Sequence, residues 1–277
     1  YTKKKGRCRK ELKNKIEEKG KSLESYSTKI RLGLATGANE VFAIGEDTRN
    51  ELIRKDPKNK NIIKPVLRGR DISRYTYQLN GLHIILTQNG INVKKEYPEI
   101  YKYLDSFGEN FKKRGAQGEH WSNLRACAFF DDFKKEKIIW IELADRGRFA
   151  LCTEEVYLLN SAYFLLPPDQ LSAKYLLGVL NSKLIEFYLN SIAETSGMGT
   201  NRWINNYVKE FPIPEISSEE QEPLVKVVDK MIGVVNGNNN STKQDKIQDY
   251  DCQIDQMVYK LYGLTEEEIK IVEGANK

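Results

Sequence analysis

Four cations, Lys64, Arg68, Arg70 and Arg74, fall in the short run from Ile62 to Tyr75, interleaved with apolar side chains and punctuated by Pro65 and Gly69. A guanidinium offers two parallel N–H donors, a geometry suited to phosphate oxygens and, at groove depth, to the edge of guanine. The run equally fits a strand and turn whose arginines are solvated or paired with carboxylates such as Asp71. A second basic segment places Lys112, Lys113 and Arg114 before Gly115-Ala116-Gln117-Gly118, followed by His120-Trp121-Ser122-Asn123-Leu124-Arg125. Basic, amide and aromatic groups on a glycine-bearing loop are what base readout with phosphate anchoring requires. Trp121 reads first as a core anchor and second as a platform for a base. The turn Asp145-Arg146-Gly147-Arg148 is a phosphate or base contact or else a solvated hairpin tip, and Asn201-Arg202 follows as a further basic site. The candidate nucleic-acid contacts are Lys64, Arg68, Arg70 and Arg114 in the first rank, and Gln117, Arg146, Arg148 and Arg202 in the second.

Catalytic chemistry finds little to work with. Two histidines, His83 and His120, support no Ser/His/Asp or Cys/His constellation. Cys8, Cys127, Cys152 and Cys252 are scattered without paired spacing, so reduced, buried thiols are expected rather than a zinc site or disulfides. Asp132-Phe133-Lys134 and Glu268-Ile269-Lys270 have the acidic-x-Lys form of a metal-dependent nuclease, a form common by chance where 30% of residues are charged. Gly197-Met198-Gly199 lacks the preceding strand and third glycine of a nucleotide loop. No catalytic residue, metal or cofactor is expected within the chain itself.

Charge is distributed unevenly over the 277 residues. Residues 1–21 carry ten Lys and Arg against three Glu, residues 22–214 are net +4, and residues 215–277 are net −6. This fits nucleic-acid contact by the N-terminal and middle parts, with the C-terminal end kept from phosphates. No apolar run approaches the roughly 20 residues of a membrane span, and no signal peptide is visible, so a cytoplasmic protein without a membrane partner is expected.

Positioning these groups requires a scaffold that the hydrophobic pattern outlines. Residues 3–24 read as a helix whose thin stripe of Leu12, Ile16 and Leu23 is expected to pack on something outside the chain. Thr36-Gly37-Ala38-Asn39 is a turn into Val41-Phe42-Ala43-Ile44, His83 to Thr87 is a strand, and Gln88-Asn89-Gly90 reads as a turn before an adenine reader. Residues 137–143, 149–152 and 157–166 are strands, and one helix is expected from Leu171 to about Ile192. Phe211-Pro212-Ile213-Pro214 is extended, and capping-box helices begin at Ser218 and Thr265 around another from about Asp245 to Leu261. The fold class is α/β (α+β), a mixed, largely antiparallel sheet with flanking helices plus a C-terminal helical pair.

The Ile62–Tyr75 run resembles a signature of TaqI-like C-terminal specificity domains, the target-recognition parts of adenine-specific DNA methyltransferases and fused type II restriction-modification enzymes. Thr36-Gly37-Ala38-Asn39-Glu40-Val41-Phe42, Leu177 to Leu184 with Phe211-Pro212-Ile213-Pro214, and Val258 to Ile269 resemble three further family segments in the same order. The family's variable segment, with an Arg and then a Trp, corresponds to Arg114 and Trp121. The resemblance implies a basic connector over 1–25, a DNA target recognition domain over 26–214 and a helical region over 215–277. It implies duplex DNA as partner and adenine-N6 methylation, with S-adenosylmethionine, by a methyltransferase domain of the same parent chain; a fused nuclease would add Mg2+. The Asn-Pro-Pro-Tyr/Phe motif of such enzymes is missing, since none of the eight prolines follows Asn. The catalytic domain is therefore expected before Tyr1, in a longer protein of which this chain is a piece. The alternative is an assembly module whose helical tail docks a partner and whose basic run is solvated surface.

Overall fold

The computed structural model describes residues 2–193, 201–238 and 241–274. Residues 195–200 of the glycine-bearing loop, and Asn239 and Asn240 of the polar loop, lie outside them. Four antiparallel strands run through the middle in the order Phe149–Cys152, Lys137–Ile141, Ala162–Leu166, Lys29–Leu32. Successive side chains of a strand point to opposite faces. Ile138, Trp140, Phe149 and Leu165 accordingly enter one apolar core, and Ile139, Ala150, Cys152, Ala162 and Phe164 enter another. A sheet buried on both faces needs no polar alternation, which is why residues 138–141 form an unbroken apolar run.

The first core is roofed by the helices Ala173–Leu180, Lys183–Ile192, Ser218–Asn236, Lys243–Leu261 and Glu266–Gly274. The second contains a smaller sheet in the order Tyr157–Leu158, Ile63–Leu67, His83–Ile85, Ala43–Ile44, with its first pair parallel and the others antiparallel. Leu52, Ile100 and Leu104, from the short helices Glu46–Lys55 and Pro98–Asp105, complete that core. The architecture is the mixed, largely antiparallel α/β arrangement with a C-terminal helical pair that the pattern predicts. Among the described residues, no helix is long and apolar enough to cross a membrane.

Four details depart from expectation. The strand expected over 157–166 is two, Tyr157–Leu158 in the smaller sheet and Ala162–Leu166 in the central one, because the chain turns between them where the Ala162 N–H donates to the Leu159 carbonyl at 3.0 Å. The helix expected over 171–192 breaks at Asn181, whose side chain accepts from the Phe149 N–H at 3.1 Å and donates to the Phe149 carbonyl at 3.0 Å. Ser182 then caps the next helix, so the Leu-Asn-Ser-Lys-Leu segment is a stitched corner. The N-terminal helix, Thr2–Lys19, finds its partner within the chain: Leu12 and Ile16 are buried in the helical core, Lys15 pairs with Glu268 at 2.6 Å and Glu17 accepts from Tyr188 at 3.0 Å. The cysteines are all free, but only Cys152 is buried and Cys252 is exposed.

Candidate nucleic-acid interface

The two arginines of Arg68-Gly69-Arg70-Asp71 face opposite fates. Asp71 is buried, and accepts hydrogen bonds from the Arg68 N–H at 2.8 Å, from Nε and Nη2 of the same arginine at 2.9 Å each, and from the Asn80 amide at 3.1 Å. Burial pushes the Asp71 carboxyl up, but these donors outweigh it and hold the group below its ordinary value. Arg68 is thereby consumed as the clamp of its own turn. Gly69 donates to Ser161 Oγ at 2.9 Å, and a Cβ there would meet the Ser161 carbonyl at 2.5 Å, so no other residue fits. Arg70 is left exposed, without an ion pair or hydrogen bond among the described residues.

That turn abuts one end of the central sheet, where other candidates gather. Glu142, next to Ile141, donates its N–H to the Ser161 carbonyl at 3.2 Å and accepts the Trp203 N–H at 2.8 Å. Leu143–Ala144 pairs antiparallel with Asn201–Arg202, making a two-stranded ribbon. Trp140 Nε1 anchors it by donating to the Trp203 carbonyl at 2.7 Å. Arg202 reaches back to Glu142 at 2.9 Å yet remains 55% exposed. In the turn beyond, Arg148 pairs with Asp145 at 2.7 Å and holds that carboxyl below its ordinary value. Arg146 is exposed and has no ion pair among the described residues. Gly147 lets the turn lie close to Trp203, since a Cβ would sit 3.1 Å from its ring. Arg70, Arg146, Arg148 and Arg202 thus share one sheet end, against the carboxylates of Glu142 and Asp145.

The remaining candidates lie elsewhere. Lys64 faces Glu155 at 3.6 Å. Arg114 donates to three backbone carbonyls, Thr36 at 3.0 Å, Asn123 at 2.8 Å and Trp121, and lies over the rings of Phe42 and Phe111 at 4.8 and 4.6 Å. Burial lowers its pKa to about 10. Gln117 donates to the carbonyls of Lys112 and Arg114 at 2.7 and 2.6 Å. These two side chains are spent on building the loop. Trp121 packs among Tyr101, Phe111 and His120, the anchor role its type suggests. Asn89 accepts the Glu119 N–H at 3.0 Å and Gly90 has φ +85°, so Gln88-Asn89-Gly90 is a turn. Arg74, though part of the first basic run, turns inward to Asp251 at 2.6 Å.

Sequence reasoning missed Asn80, Ser161 and Glu142. They lie 9, 92 and 60 residues from the groups they hold, and only sheet pairing brings the last two near. Among the described residues, no cluster of three His, Cys, Asp or Glu is placed to hold a metal. Asp132 and Glu268, the carboxylates of the acidic-x-Lys triplets, pair with Lys135 at 2.8 Å and Lys15 at 2.6 Å.

Comparison with known proteins bears on this arrangement. The chain is similar to type II methyltransferase M.MjaIV of Methanocaldococcus jannaschii, 25% identical over 214 residues that cover 74% of the chain and 70% of the relative. Type II methyltransferase M.BstVI of Geobacillus stearothermophilus is 21% identical over 280 positions, covering 97% of the chain and 45% of the relative. The chain therefore spans less than half of the second relative. Its fold is similar to part of the type IIL restriction-modification enzyme MmeI, solved in complex with DNA, with TM-score 0.62 and 11% identity over 88% of the chain and 34% of MmeI. The type IIG restriction endonuclease BpuSI aligns with TM-score 0.54 and 13% identity over 93% of the chain and 33% of BpuSI. The model of the TaqI-like C-terminal specificity domain matches residues 64–213, more than half of the chain, and the chain belongs to that family.

Proposed function

We propose that the chain binds duplex DNA at a short specific site and positions an adenine for N6 methylation by a methyltransferase domain of the same parent chain. The supporting observation is the gathering of Arg70, Arg146, Arg148 and Arg202 at one end of a doubly buried sheet in a specificity-domain fold. A rigid sheet end presenting guanidinium forks is what phosphate anchoring and base readout require. Arg70 and Arg146 meet DNA directly; Arg148 and Arg202 exchange Asp145 and Glu142 for phosphate or base; Lys64 contributes at the flank. Arg68 shapes the turn that carries Arg70, whereas Arg114 and Gln117 hold the separate loop after Lys112. Residues 1–25 serve as connector, 26–214 as recognition domain and 215–277 as the helical support. S-adenosylmethionine is held by the parent's methyltransferase domain, and Mg2+ enters only if the parent also cleaves DNA. The same reading places the protein in the cytoplasm, where its DNA is.

Binding to a randomised duplex pool at two salt concentrations, followed by sequencing of the retained DNA, tests this. The expected outcome is an enriched short motif and affinity that falls steeply with salt. No retention at either salt would overturn the proposal and favour an assembly module docking through its helical pair.

A further inference from the structure

Leu143 is the most exposed large hydrophobic side chain among the described residues, at 53%, whereas its strand neighbour Ala144 is buried at 4%. It stands opposite Arg202 in the ribbon register, and Glu142 holds that guanidinium in place at 2.9 Å. Arg146 and Arg148 follow within the next turn. The major groove admits a two-stranded ribbon, and the apolar group it displays is the C5-methyl of thymine; the minor groove displays none. Folding leaves about half of Leu143 in water, so the gain from dehydrating that part remains available to a bound partner.

We infer that Leu143 reads a thymine, packing against its C5-methyl group when the ribbon enters the major groove. The inference rests on the proposed DNA-recognition role and deepens it by assigning one base. Arg202 flanks the contact and sets the depth and register of the ribbon, so the apolar reading is confined to one position of the site. This makes the ribbon a reader of a step in which an apolar and a cationic contact lie side by side.

The test uses the whole chain and the duplex it selects, with each thymine replaced in turn by deoxyuridine, which removes only the methyl group. At one position the unsubstituted protein is expected to bind about fourfold more weakly, corresponding to the ~0.8 kcal/mol of one buried methyl-sized group. Leu143→Ala is expected to bind the thymine duplex more weakly and to show no deoxyuridine penalty at that position, while keeping its thermal unfolding midpoint. Leu143→Met, which retains apolar reach, is expected to recover the penalty. Uniform tolerance of deoxyuridine by the unsubstituted protein, or an undiminished penalty in Leu143→Ala, would overturn the inference. A Leu143→Ala variant weakened equally on both duplexes would mean a wedge or backbone contact, and would overturn it as well. Absence of any duplex binding is a different result: it defeats the proposed function itself and this inference with it.

Discussion

Arg114 and Arg146 sit in sequence settings that look alike, each a cation next to a glycine in a basic loop, yet the structure gives them opposite surroundings. Arg114 lies beneath its loop with donors on three carbonyls and two rings under its plane. Arg146 stands at the ribbon tip with its guanidinium exposed. The same contrast recurs within three residues at Arg68, clamped by Asp71, and Arg70, which is exposed and without a partner among the described residues. What separates a structural from an interfacial arginine is whether nearby carbonyls and carboxylates claim its donors first. A guanidinium whose donors are already satisfied cannot reach DNA without leaving buried acceptors unpaired.

The largest expected effect sits on the structural side. Arg114→Ala strands three backbone carbonyls and should destabilise the fold by about 3 kcal/mol or more, read as a lower urea midpoint. Arg114→Lys should rescue little, because one ammonium cannot reproduce the planar fork. A variant of unchanged stability would break the comparison. On the interfacial side, Arg70→Ala and Arg146→Ala should each cost about 1–3 kcal/mol of DNA affinity if they read a base, or reduce the salt slope by about 1 if they hold a phosphate. Neither should shift the unfolding midpoint.

A smaller effect follows from Asp71. Its folded-state pKa is depressed, so its contribution to stability is full above the unfolded value of about 3.9 and is lost as pH falls through the folded value. Urea unfolding from about pH 7 downward should show that loss set in below about pH 4 in the unsubstituted protein and a flatter profile in Asp71→Asn, the two drawing together as the pH falls further. Parallel profiles would remove the clamp from the account. The smallest effect belongs to Arg148→Ala: its partner Asp145 is 60% exposed, so stability should change by less than about 1 kcal/mol. Only DNA binding should register the loss.

The scaffold was legible because burial leaves a trace in composition. Lys137 to Ile141 announced the central strand, and the capping box expected from Ser218 announced the helix Ser218–Asn236, one residue away from the observed box of Ser217 and Glu220. The break at Asn181 was hidden, because Leu177 to Leu189 keeps a helical apolar spacing through it and the cause is Phe149, 32 residues away. The sequence offers the candidate site as a set of arginines without a selection among them. Asp71 lies beside Arg68 in sequence and hints at the clamp, whereas the carbonyls of Thr36, Trp121 and Asn123 that hold Arg114 carry no side-chain signature at all. Arg74 belongs to the same basic run, and its carboxylate partner, Asp251, lies 177 residues on, beyond the reach of any local pattern.

The most direct test of the central claim is to repeat the duplex selection with Arg70, Arg146, Arg148 and Arg202 all replaced by alanine, beside the unsubstituted chain. The enriched motif is expected to be lost and the dependence on salt to become shallower, with the unfolding midpoint shifted only slightly by the loss of the Arg148–Asp145 and Arg202–Glu142 pairs. Enrichment of the same motif at undiminished strength would contradict the claim and move the recognition surface away from this end of the sheet.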